Sequence, residues 1–133
     1  MKSKVYTING NPIPLARARL FKQKVYDPQR NKKLVASIDV VSQHDDEPLL
    51  TGPLHLDVTF YMKYPSSIAK SRQLTYQGKP HQTIPDLSNL IKFIEDICSN
   101  DVVYHDDCII SSITSKKVYD ANPRTEFYFT EAI

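Results

Sequence analysis

Asp86, Ser88, Asn89 and Lys92, followed by the acidic pair Asp106-Asp107, are the residues of this chain whose types and spacing could do chemistry. Carboxylates that converge beside a lysine suit phosphodiester hydrolysis assisted by a divalent cation. Hard cations such as Mg²⁺ take oxygen ligands from one or two carboxylates and complete their shell with water and substrate phosphate. A lysine then offsets the negative charge that builds on the phosphate. Each residue also has an ordinary structural use. Asp86 sits where a helix would begin, and capping alone would account for it. Two adjacent acids in a turn are commonplace, and a surface lysine is usually solvated. His81 and His105 flank the acids, but an all-oxygen shell suits Mg²⁺ better, which makes both outer neighbours at most.

The element that must position these groups is a helix. Leu87, Leu90, Ile91, Ile94, Ile97 and Cys98 recur at three- and four-residue intervals, which predicts one apolar face. Asn89, Lys92 and Asp96 fall on the other side, with Asp96 one turn from Lys92 and able to pair with it. Asn100-Asp101 ends the helix. Upstream, residues 4–9 alternate as a strand and stop at Asn9-Gly10-Asn11-Pro12. Residues 12–31 read as irregular and basic, with Arg17, Arg19, Lys22, Lys24 and Arg30 among Leu20, Phe21, Val25 and Tyr26. The spacing of Leu34, Val35, Ile38 and Val41 predicts a helix over about 29–43. Residues 54–64 alternate apolar and polar, the pattern of a half-buried strand. The polar stretch 65–85 follows, with one short helical turn expected near 67–73. Residues 102–104, 108–114 and 125–130 are predicted strands, with a turn at 120–123. This order specifies an α+β class, a mixed or antiparallel sheet with two main helices packed on it.

At 133 residues the chain fits a single domain (1–133) with a core that needs no disulfides. Seventeen Lys and Arg against fifteen Asp and Glu leave a net charge of only +2, so any nucleic-acid surface must be a local basic patch. Arg17, Arg19, Lys79, Lys116 and Lys117 are the candidate phosphate contacts, and the aromatics among the N-terminal arginines suit stacking on unpaired bases. Lys116 and Lys117 end the strand that starts beside Asp107 and are expected on the same rim. Three glycines against nine prolines exclude a glycine-rich phosphate loop. Cys98 and Cys108 lack metal-ligand spacing and read as reduced thiols. No apolar run approaches a membrane span and the start Met1-Lys2-Ser3-Lys4 is not a signal peptide, which predicts a cytoplasmic protein.

These residues together resemble the RusA-type Holliday-junction resolvases, small endodeoxyribonucleases of phages and prophages. The likeness runs over nearly the whole chain. It includes Gly10-Asn11-Pro12 with Arg17 and Arg19, Tyr26-Asp27-Pro28, Gly52-Pro53, and His81 with the Pro85-Asp86-Leu87-x-Asn89-Leu90-x-x-Lys92 core. Asp96, Asp106-Asp107 and Lys117 complete it. The resemblance implies a homodimer that resolves four-way DNA junctions in recombination and repair, using Mg²⁺ or Mn²⁺. By the same resemblance, metal-binding acids fall on Asp86 and Asp107 and the catalytic lysine on Lys92. Ser88 stands where the family motif has a third acid, so the site lacks one negative charge. Three outcomes are compatible with that departure. Asp106 or water completes the shell; or the enzyme is slow and needs high Mg²⁺ or Mn²⁺; or the protein binds junctions without cutting them. A further alternative is a small protein-interaction domain whose acids are caps and turns.

Overall fold

The computed structural model describes residues 1–16 and 19–132, and for residues 19–21 the backbone alone. Strand β4 (Leu54–Met62) is its spine, with residues buried and half-buried in strict alternation. It pairs in parallel with β5 (Ile110–Tyr119) and antiparallel with β6 (Arg124–Glu131), and β6 in turn pairs antiparallel with β1 (Tyr6–Asn9). The sheet is therefore mixed, in the order β1-β6-β4-β5, and the α+β class expected from the sequence holds.

Two helices, α1 (Arg30–His44) and α3 (Leu87–Cys98), cover one face of that sheet. Leu54, Leu56, Val58, Phe60, Phe127 and Phe129 meet Leu90, Phe93, Ile94 and Ile97 in one continuous core. Each such side chain, fully buried, contributes roughly 1.5–3 kcal/mol. The other face of the sheet stays polar. There Tyr128 Oη donates to Asp57, and the Arg124 guanidinium lies 3.8 Å from the centre of the Tyr61 ring. Helix α1 is fastened to α3 by Ser37 Oγ, which donates to the Ile97 carbonyl, and by Lys33, which spans Asp27 (2.6 Å) and Asp96 (2.9 Å).

Two expectations need correction. The stretch 12–31 is not wholly irregular, because β2 (Arg19–Phe21) and β3 (Lys24–Tyr26) pair as a separate antiparallel ribbon. Residues 102–104 are a turn rather than a strand. Val103 and Tyr104 are buried, and both donate backbone N–H groups to the Cys98 carbonyl, closing the end of α3. The polar stretch 65–85 carries its expected short helical turn as α2 (Lys70–Gln73), followed by a single 3₁₀ turn, Leu74–Tyr76. Among the described residues no helix is long and apolar enough to cross a membrane. Cys98 is buried and Cys108 exposed, both as free thiols.

Candidate functional site

Helix α3 starts where its sequence says it should, but Asp86 does not spend its side chain on the start. Its backbone is extended (φ −64°, ψ 138°), and its carbonyl accepts the N–H groups of Asn89 and Leu90. The carboxylate makes no capping hydrogen bond. The ordinary explanation for an acid at this place is thereby removed, and an exposed carboxylate is left beside the positive end of the helix. Ser88 and Lys92 are exposed one turn apart on the same side.

The segment before Asp86 is held from the sheet. Lys117 Nζ donates to the carbonyls of Thr83 (2.5 Å) and Pro85 (2.6 Å), and the His81 N–H donates to the Lys117 carbonyl. Lys117 therefore acts as a clasp on the loop, and Lys116, adjacent along the strand, points to the opposite sheet face. The two lysines do not share a rim as expected. Lys79 and Lys116 are exposed. Of the arginines, Arg17 lies outside the described residues, and Arg19 is described only as backbone in β2. The residues just before Arg17 are pinned beside α3. Leu15 N–H donates to the Asn89 carbonyl, while the buried Gln29 side chain bonds both Ala16 N and Pro14 O.

Asp106 and Asp107 differ in kind. Asp106 Oδ1 accepts from the Cys108 amide at 2.9 Å, capping a 3₁₀ turn over Asp107–Ile109, and that bond holds its carboxyl below the usual carboxylate range. Asp107 is half-buried, and its carboxyl is pushed up by burial, then by the hydrogen bond and charge of Asp106, and by Asp96. The turn packs tightly on the start of β4. A Cβ at Gly52 would lie 2.7 Å from that of Ile109, so only glycine fits there.

Glu95 is a site residue that the sequence reading missed. It is half-buried, and its carboxyl is raised by burial and by the charge of Asp107, while Lys92 pulls it back down. It lies seven residues beyond Ser88 and three beyond Lys92, on one stripe of α3. That spacing was available in the sequence, but no apolar period marks a functional stripe on a helix's wet side. Asp96, by contrast, turns to Lys33 of α1 rather than to Lys92.

The structure thus brings Glu95 into electrostatic range of both Asp107 and Lys92, with Asp86 about 9 Å back along the axis from Lys92. Among the described residues no group of three or more His, Cys, Asp or Glu side chains gathers to enclose a metal. An open shell with one or two carboxylates and water remains chemically suited to Mg²⁺. Neither histidine joins the acids. His105 pairs with Asp101 at 2.9 Å, and His81 packs on Tyr119 with ring centroids 4.9 Å apart. The groove of about 400 Å³ beside His81, Tyr64 and Thr83 contains neither Asp86 nor Asp107.

Residues 9–128 match the family described as Endodeoxyribonuclease RusA. A curated relative is an uncharacterized protein, YqaN, of Bacillus subtilis (strain 168). It is 30% identical over 135 aligned residues, which cover 95% of this chain and 94% of that protein.

Proposed function

The chain belongs to the RusA endodeoxyribonuclease family, and from that premise we propose that it is a Mg²⁺-dependent, dimeric endonuclease of four-way DNA junctions, acting in the cytoplasm in recombination and repair. The observation that carries the reading is Asp86. Its carboxylate is exposed at the mouth of α3 and unused for capping, about 9 Å along the helix axis from Lys92. Asp86 and Asp107 would hold the cation, with Ser88 and Asp106 beside them; Mn²⁺ has the same preference for oxygen ligands. A divalent ion bound there supplies Lewis-acid polarisation of the phosphate and a more acidic water.

The remaining work falls to side chains. Lys92 places its ammonium against the phosphate oxygens as charge accumulates, an interaction stronger in the transition state than in the ground state. Glu95, with its carboxyl already raised, stands where a proton can be held near Asp107 and Lys92. Lys79 and Lys116, with Arg17 and Arg19, would track the DNA backbone, and paired cuts on a two-fold substrate would come from two copies of the chain.

Ser88 favours a second reading, in which the protein binds junctions without cutting. A cleavage assay on a synthetic four-way junction, across Mg²⁺ and Mn²⁺ titrations, separates the two. Paired nicks by the wild type, with Ser88→Asp lowering the metal requirement and Lys92→Ala abolishing cutting, are the expected results. A wild type that binds at every metal concentration but never cuts, while Ser88→Asp does, would leave only the second reading standing. Loss of binding with rising salt checks the phosphate contacts.

A further inference from the structure

Ile84 is 85% exposed, more than any other large apolar side chain among the described residues. Scattered apolar residues on a surface are ordinary, but the backbone that presents this one is fixed. Lys117 Nζ bonds the carbonyls on either side of it, at Thr83 and Pro85. Asp86 stands two residues on, within about 7 Å along the chain. An apolar side chain held out beside an acid suited to a cation and a phosphate meets whatever is joined to that phosphate.

Beside Ile84 lies the groove of about 400 Å³, the size of a small-ligand cleft. Ile84 and Pro85 line it together with Pro65, and Tyr64 and His81 add rings. Both rings are tied in place. Tyr64 Oη donates to Gln77, and His81 packs on Tyr119, which is itself backed by Tyr76. Among the described residues no carboxylate lines the groove, and Lys63 in its lining is exposed, so a polyanion meets attraction there and no repulsion. His81 is not the phosphate contact. Its Nδ1 is buried without a partner, and burial, then the Lys117 charge, holds the ring below its usual pKa. The imidazole is therefore neutral at pH 7, with Nε2 3.3 Å from Thr83 Oγ1. Apolar walls, fixed rings and a few neutral hydrogen-bonding groups suit a flat heteroaromatic ring rather than a sugar-phosphate chain. The space suits one such ring and not a base pair, so a base that enters has left its stack.

We propose that this groove receives one unstacked nucleobase of the strand whose phosphate lies at Asp86, with Ile84 as the wedge that fills the place the base leaves. The proposal rests on the junction reading above for its DNA. Apolar wedges between base steps are a general means of unstacking, and bases at a branch point are the least securely stacked, so withdrawal is easiest there. Branched DNA is then preferred to linear duplex through stacking alone.

The test uses the protein in chelator, where nothing is cut, and four-way junctions with 2-aminopurine at one position at a time around the exchange point. Emission of this base rises when it leaves the stack. The wild type is expected to raise it several-fold at one position. Ile84→Gly, and Ser66→Trp, which fills the groove, should give less than half of that rise. Both side chains are exposed, and thermal melting checks that each variant is folded. Junction affinity by fluorescence anisotropy should fall on the order of ten-fold in each. Removing the base opposite the responding position leaves its partner already unpaired. That junction should restore binding by Ile84→Gly and not by Ser66→Trp, whose groove stays filled. A wild type that binds the junction and brightens no position, or variants that respond as the wild type does, overturns the proposal. A failed junction reading shows itself separately, as a wild type that binds no DNA, and takes the groove's occupant with it.

Discussion

Helices α1 and α3 cover the same sheet face but present opposite things to solvent. Helix α3 turns Leu90, Phe93, Ile94 and Ile97 inward and leaves Ser88, Lys92 and Glu95 on its wetter side. Helix α1 reaches the core through small or polar contacts, Ala36, Val40 and His44, and leaves Leu34, Ile38 and Val41 outside. Hydrophobic periodicity announces both helices equally well, yet it points to the core in one and away from it in the other. A period reveals a face; what covers that face has to be read from charges and neighbours.

The largest expected effect lies on the α3 side. Asp107→Asn or Asp86→Asn should lower junction cleavage on the order of 10²–10³-fold with binding retained, as read from cleavage and gel-shift assays run together. Next comes a direct contrast of the two apolar faces. Ile94→Ala should cost about 2–4 kcal/mol in denaturant unfolding, while Ile38→Ala should stay within about 0.5 kcal/mol in dilute protein. Equal costs would break the distinction between the helices.

Smaller effects come from the charges that join and flank them. Lys33→Met unties Asp27 and Asp96 and should cost about 1–2 kcal/mol near neutral pH. The Asp27 carboxyl is held low by its hydrogen bond to Lys33, so its contribution is present above the ordinary carboxylate range and is lost as pH falls through the folded value. The wild-type advantage should therefore shrink in acid. Glu95 has the opposite sign. Its raised carboxyl means that the folded protein binds the proton more tightly, so stability falls as pH rises through the carboxylate range. Glu95→Gln should raise the melting temperature by a few degrees at neutral pH and lose that gain in acid, measured in chelator.

Much of this was legible beforehand. The alternation of 54–64 and the three-four spacing from Leu87 specify β4 and α3 because burial on one side leaves a period in the sequence. The β2–β3 ribbon left none, since Lys24, Val25 and Tyr26 are all exposed and nothing forces alternation. Val102, Val103 and Tyr104 looked like a strand because apolar runs serve turns as well when they fold beneath a helix end. At the site, Asp86, Lys92 and Asp107 were readable by type, whereas Lys117 as a loop clasp and Glu95 as a neighbour of Asp107 depend on distances across elements that no spacing encodes.

The clasp has a consequence for how the chain tolerates change in length. Strand β5 begins at the turn that carries Asp107 and, seven residues on, holds by Lys117 the loop that delivers Asp86. Both carboxylates are thus gauged from one rail. Tyr119 and Lys117 also bond backbone groups of Gly78, Lys79 and His81, the Gln77 side chain bonds Asp120 and Ala121, and the Tyr76 ring packs on Tyr119, so the gauge is set from residue 76 onward. Residues 65–75 lie ahead of that anchorage, and insertions or deletions there can be absorbed without altering the distance between the two acids.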